Sequence, residues 1–195
     1  MKILFINISD TRGGAAISMW RIGNELSRQF NTTNLFLVRS KYSDSKNVIV
    51  TKGNRILNII FNAFGLQYKF LPRSRRIIKL AKKFNPDVIS LNQIEGGYFQ
   101  TRDMIKLCRI APVFWTIHDC WAFNNNAHRS PDIKSIYPQI GIRWGNWLKH
   151  QKHKIYSKSD FTMIFPSAWL SAKNTISDKN SLIIPHGVDI EKFHP

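Results

Sequence analysis

Acidic residues are scarce in this chain. Twelve Asp and Glu stand against 29 Lys and Arg, a formal net charge of +17 over 195 residues. The imbalance excludes no fold, but it points to an anionic partner. Cysteine is nearly absent. Cys108 and Cys120 stand in neither a CxxC nor a metal-ligand spacing, which argues against a zinc or dithiol motif and fits two thiols in a reducing compartment. Long apolar runs are missing too. The most apolar window, 56–71, is broken by Asn58, Asn62, Gly65 and Lys69 and falls short of the ~20 apolar residues a membrane span needs. The apolar start at 3–8 is too short for a signal peptide and leads straight into a glycine turn. A cytoplasmic protein is expected, peripheral at the inner face of the membrane. Neither GxGxxG nor a P-loop occurs, and there is no internal repeat or low-complexity linker. Hydrophobic residues make up 43%, enough for a core and against disorder.

What is present is an alternation. Short runs rich in Ile, Val and Phe, at 2–8, 34–38, 48–50, 88–91, 112–117, 161–165 and 182–184, read as strands. Between them, helical spacing predicts helices over 15–30, 55–70, 75–84, 98–108, 142–158 and 168–176, with a turn at Asn85-Pro86-Asp87. Strand–helix alternation implies a parallel sheet with helices on both faces. Strands buried on both sides should read as apolar runs, and these do. The expected class is α/β, with a Rossmann-like sheet.

In such a sheet, ligands bind beyond the carboxyl ends of the strands, and three loops there carry chemistry. The first, Ser9-Asp10-Thr11-Arg12-Gly13-Gly14, puts paired glycines before a helix. Gly13 and Gly14 permit close backbone approach, and the helix end offers N–H groups and a positive dipole to an anion. A plain strand-to-helix turn would look the same. The second, Asn92-Gln93-Ile94-Glu95-Gly96-Gly97, offers Glu95 to a sugar hydroxyl, or is an ordinary polar loop. The third is Thr116-Ile117-His118-Asp119-Cys120-Trp121. A histidine at a strand end is placed to donate, accept or orient a proton, or is merely structural. Asp119 could fix its tautomer, although neighbours in a strand point to opposite sides. Trp115, Trp121 and Phe123 suit stacking on a sugar or plain packing. Whether the glycine turn and the histidine belong to one site is left to the structure.

Several phrases occur together and in order: "GGAA" at 13–16, "PDVISLNQIEGGY" at 86–98, "WTIHDCWAF" at 115–123, "PSAWL" at 166–170 and "IPHGVDIEKFHP" at 184–195. With these the chain resembles the N-terminal half of a bacterial GT-B glycosyltransferase of family 4, of the type that builds colanic acid, O-antigen or capsule. The resemblance implies an acceptor-side domain over 1–184 and the start of an interdomain crossing over 185–195, with a C-terminal donor-binding domain beyond the chain. It implies transfer from a nucleotide-diphosphate sugar to a lipid-linked polysaccharide acceptor, with retention, and without a cofactor or a bound metal. His118 would contact the donor sugar. Gly13, Gly14, Glu95, Gly96 and Asp119 would lie along the donor and acceptor, and Gly187 would mark the crossing. Three departures stand out. The cysteines that often follow the HDxWxF phrase are missing, Glu95 stands where a histidine is common, and the usual PNG reads Pro185-His186-Gly187.

The charge is clustered. Ten Lys and Arg and no acid fall between Ser45 and Pro86, and six with no acid between Ile133 and Ser159. Arg73, Arg75, Arg76, Lys79, Lys82 and Lys83 interleave with Ile77, Leu80, Ala81 and Phe84. A basic amphipathic segment reads as a contact for an anionic membrane surface, or as a core helix with a solvated basic face. A non-catalytic basic module for anionic lipid or polysaccharide is the alternative function. Nucleic acid fits poorly, because no RNP, helix-turn-helix or zinc pattern is present.

Overall fold

A computed structural model describes residues 1–51, 74–95, 98–123, 145–176 and 178–188. Seven strands form one sheet: β1 (Lys2–Ser9), β2 (Thr33–Ser40), β3 (Val48–Val50), β4 (Val88–Leu91), β5 (Val113–Thr116), β6 (Phe161–Phe165) and β7 (Ser181–Ile183). Every pairing is parallel, in the order β3-β2-β1-β4-β5-β6-β7. The chain first winds outward from β1 to β3, then returns to β4 on the other side of β1. The carboxyl ends of β1 and β4 therefore flank the switch point, where an open sheet leaves a crevice.

The apolar runs explain the layering. Alternate residues point to opposite faces of a strand. Ile3 and Phe5 of β1 join Phe36 and Val38 of β2 in one core, against Met19. Leu4 and Ile6 join Leu37, Ile89, Leu91, Val113 and Trp115 in the larger core on the opposite face. Helix α1 (Gly14–Phe30) covers the first. Helix α2 (Ser74–Phe84) sends Ile77, Ile78 and Ala81 into the second. Both helices end on an asparagine in the left-handed region, Asn31 (φ 50°) and Asn85 (φ 51°). Asparagine tolerates that conformation and its N–H closes the last turn, here onto Ser27 O and Ala81 O at 3.1 and 3.0 Å.

The helix expected over 98–108 is a correction. A 3-10 turn at Thr101–Asp103 runs into a single α turn, α3 (Met104–Leu107). Tyr98 and Phe99 are drawn into the core instead, and Ser74 Oγ accepts from Gln100 N at 3.1 Å, which holds the approach non-helical. Helix α4 spans Gly145–Tyr156. The helix expected over 168–176 is only α5 (Ala168–Ala172), capped by Ser167 Oγ. The helix expected over 55–70 lies outside the described residues, as do Arg73 and Gly96. Among the described residues, no helix is long and apolar enough to cross a membrane.

Arg75, Arg76, Lys79, Lys82 and Lys83 are all exposed. The apolar face of α2 is spent on the core, so nothing on this helix is left to insert into lipid.

Candidate functional site

The loops after β1, β4 and β5 lie side by side at the carboxyl edge, and buried side-chain amides bind them together. Asn7, wholly buried near the end of β1, donates through Nδ2 to Ser9 O at 2.8 Å and accepts through Oδ1 from Gln93 N at 3.0 Å. Asn92, just past β4, accepts on its backbone O from Trp115 Nε1 at 2.8 Å. Its Oδ1 lies 3.2 Å from His118 Nε2. A buried polar group without a partner costs about 1–3 kcal/mol, so each amide fixes the register of the loop it reaches. Through these bonds the loop of the glycine turn and the loop of the histidine form one connected edge.

The β1 loop is built rigidly. Ser9 Oγ donates to Arg12 O at 2.6 Å and accepts from Arg12 N at 3.1 Å. The buried Asp10 accepts from Thr11 N, Tyr42 N and Ser43 N, each at 2.9 Å, and from Ser43 Oγ at 2.6 Å. Burial alone would raise its pKa, but these hydrogen bonds outweigh it and hold the carboxyl below its ordinary value. Arg12 stacks over Tyr42 at 5.3 Å. Gly13 caps α1 with φ 96° and ψ 156°, a conformation closed to residues with a Cβ. It and Gly14 are exposed, no acid stands in the first turn of α1, and a Cβ added at either glycine would meet nothing within 4 Å. The helix end therefore opens onto free space.

His118 is half-buried in a shallow open hollow that is also lined by Asn92, Glu95, Trp115, Asp119 and Trp121. Burial, reinforced by neighbouring His186 and opposed by Asp119, pushes its pKa down to about 4. The imidazole is neutral at physiological pH. Asn92 Nδ2 lies 3.4 Å from Ser90 Oγ and its Oδ1 faces the ring. In this amide orientation Nε2 carries the proton and Nδ1 is the acceptor.

Asp119 anchors the turn that follows it. Its Oδ1 accepts from Trp121 N at 2.8 Å and caps the 3-10 turn Cys120–Ala122. Glu95 is half-buried on the hollow's rim, in a loop braced by Tyr98 Oη donating to Gln93 O at 2.6 Å. The aromatics go to packing. Trp115 and Trp121 line the hollow but are almost wholly buried, Phe123 is buried, and Trp115 meets Tyr156 and Phe161 edge-on at 5.6 and 5.7 Å. Gly187 lies exposed in the segment 184–188, which carries no regular structure. The same segment brings His186 onto His118, centroids 5.3 Å apart and planes 20° apart, while His186 Nδ1 lies 3.0 Å from Ser18 Oγ of α1.

Sequence reasoning passed over Asn7, Asn92 and Lys152. An asparagine inside the apolar run of β1 was a readable sign of a buried hydrogen bond. Lys152 gave none, because a lysine on a helix ordinarily means solvent. Here it is wholly buried, donates from Nζ to Trp121 O, and lies 3.7 Å from the centroid of the Trp121 ring.

The sequence pattern of Glycosyltransferase Family 4 matches residues 12–192. No curated protein matches the chain.

Proposed function

The chain belongs to glycosyltransferase family 4, and on that premise we propose that it forms the acceptor-side domain of an enzyme that moves a sugar from a nucleotide-diphosphate donor to a lipid-linked bacterial surface polysaccharide, with retention. Residues 1–184 are the domain and 185–195 begin the crossing to a second wall of the cleft, supplied in cis or in trans. The observation that carries this reading is the bonded edge Asn7–Gln93 and Asn92–His118, which puts a neutral histidine beside the open end of α1.

A nucleotide sugar has two ends of different chemistry, and so does this edge. The sugar presents hydroxyls. His118 Nδ1 accepts from one, and Glu95 and Asp119 border the same hollow. The diphosphate presents negative charge. The Gly13-Gly14 turn offers it the first N–H groups of α1 at the positive end of the helix dipole. As the glycosidic bond breaks, charge grows on the leaving diphosphate, and fixed donors aimed there lower the barrier without reorganising. The side chains work without a cofactor in this scheme.

A second contact is proposed on α2. Five exposed cations on a helix whose apolar side is buried favour an electrostatic contact with an anionic membrane surface, where a lipid-linked acceptor would be held.

Saturation-transfer NMR of the chain with nucleoside-diphosphate sugars tests the main reading. Both sugar and nucleotide protons should receive saturation. His118→Ala should lose the sugar signals and keep a cooperative melt. An unchanged sugar signal in that variant, or none from any nucleotide sugar with the native chain, overturns the reading.

A further inference from the structure

One buried group takes no part in the scheme above. Lys152 is completely inaccessible, yet it sits directly behind the loop that carries His118 and Asp119. A buried ammonium is costly, and an apolar residue of similar volume would pack as well or better. The fold alone therefore gives no reason for a lysine there.

Its contacts give one. From α4, Nζ donates to Trp121 O and lies 3.7 Å from the centre of that indole. One helical turn on, Tyr156 Oη donates to Ala122 O at 2.9 Å. Residues four apart share a helix face, so α4 grips two successive carbonyls of the Cys120–Ala122 turn. Asp119 caps the other end of that turn through Trp121 N at 2.8 Å. The two carboxylates that stabilise the ammonium are Asp119 of the β5 loop and Glu95 of the β4 loop, and both line the hollow on either side of His118. One buried cation thus serves two loops that Trp115 Nε1 and His118 already tie together through Asn92.

We propose that Lys152 is the positioning residue of the His118 site, locking the turn after Asp119 and compensating the two carboxylates, Glu95 and Asp119, that border the sugar pocket. The proposal rests on the glycosyltransferase reading for its purpose, though not for its geometry. Its protonation gives it a signature that packing alone lacks. Burial, opposed by Asp119 and then Glu95, brings the Lys152 pKa down to about 7. On its own helix it has Lys149 and His153 for neighbours, and His118 titrates far lower, at about 4. As pH rises through the Lys152 value the ammonium is lost, and with it the positive charge that stands behind Glu95 and Asp119. Donor binding should weaken.

The test is NMR on the native chain, Lys152→Met and Lys152→Arg, from about pH 5.5 to about 9, which brackets the expected midpoint on both sides. Without ligand, the Trp121 indole and His118 ring resonances of the native chain should shift together near neutral pH, and the shift should vanish in both variants. With a nucleoside-diphosphate sugar, sugar-proton saturation should fall over the same range in the native chain. It should be weak at every pH in Lys152→Met and persist to high pH in Lys152→Arg. Absence of the ligand-free transition in the native chain overturns the proposal, even if neither variant folds. So does a folded Lys152→Met that keeps native binding and its pH profile. A native chain that shows the ligand-free transition but binds no nucleotide sugar refutes the functional reading and leaves the positioning role of Lys152 standing.

Discussion

The two glycines that open α1 should answer differently to the same substitution. A Cβ added at Gly13 or at Gly14 meets nothing within 4 Å, so crowding drops out of the comparison and only the backbone counts. Gly13 holds φ 96°. Forcing an L-residue into such a region costs about 1–3 kcal/mol. Gly14 is the first residue of α1 and has no positive φ. Alanine there restricts the unfolded chain and should stabilise by about 0.4–1 kcal/mol. The two variants should then differ by about 1.4–4 kcal/mol, the sum of those effects. At roughly 2–4 °C per kcal/mol for a chain of this length, their melting midpoints should lie at least about 3 °C apart, with Gly14→Ala the higher. Urea denaturation gives the free energies, and circular dichroism the midpoints. Nucleotide-diphosphate binding, read by saturation transfer, adds a second axis. Gly14→Ala should fold better yet bind worse, because its methyl occupies the open space before the helix end. If Gly13→Ala is neutral, or if the two variants lose stability equally, the claim that backbone conformation requires glycine at 13 but not at 14 is wrong.

Three further outcomes are expected. Gly23→Ala removes a helix-interior glycine, worth about 1 kcal/mol, but its Cβ would stand 2.7 Å from Phe36 Cζ, on a wholly buried ring stacked against Phe5 at 4.9 Å; overpacking costs about 1–3 kcal/mol, so urea midpoints should fall, and a midpoint at or above the native one would count against the packing argument. Asp10→Asn should lose about 1–3 kcal/mol at neutral pH, because an amide has one acceptor oxygen where the carboxylate takes four donors. Since the native carboxyl's pKa is lowered, its contribution is full above the ordinary value of about 3.9 and fades as pH falls through the folded value; denaturation from pH 2 to 7 should show the gap closing only in acid, and a gap constant throughout would refute the assignment. Replacing Arg75, Arg76 and Lys79 by Gln should weaken co-sedimentation with anionic vesicles by about 10²-fold, at about 1 kcal/mol per cation, with native binding lost at high salt; equal binding to neutral vesicles would sink the electrostatic contact.

What the sequence shows directly is whatever local physics decides. The strands at 88–91 and 161–165 coincide with β4 and β5's other neighbour β6, because apolar β-type runs bounded by turn residues leave little choice. The same holds for the doubly covered sheet, and for the end of α2 at Asn85-Pro86, where a left-handed asparagine meets a residue that cannot continue the helix. The helix expected at 98–108 failed because Tyr98 and Phe99 answer to the core and to Gln93, contacts that helical spacing cannot register. The site divides in the same way. His118 is legible from its strand-end place. Its tautomer partner is not: Asn92 stands 26 residues earlier and meets it only because β4 and β5 pair. Lys152 is the extreme case, a residue type that means solvent nearly everywhere and is here fully buried by a turn 31 residues away.

The way charge is distributed along this edge bears on why its polar residues are what they are. At the His118 end, the two imidazoles stack face to face, and both have pKa values held below normal, by burial in each case and by the neighbouring ring in that of His118. With both values lowered the pair stays uncharged at neutral pH, and protonating both rings would set two cations about 5 Å apart. Asn7 and Asn92, which gather the loops, are also neutral and can hold a buried position without a counter-charge. The carboxylates Glu95 and Asp119 have a cation behind them in Lys152. The hollow is thus rich in acceptors, which suits hydroxyls. At the α1 end the balance differs: the free N–H groups of a helix start, no acid in its first turn, and Arg12 beside it. Exchanging these ends would set a diphosphate against carboxylates and a sugar against a bare helix dipole. In the proposed reading, that polarity along one sheet edge orients the donor before any second wall closes on it.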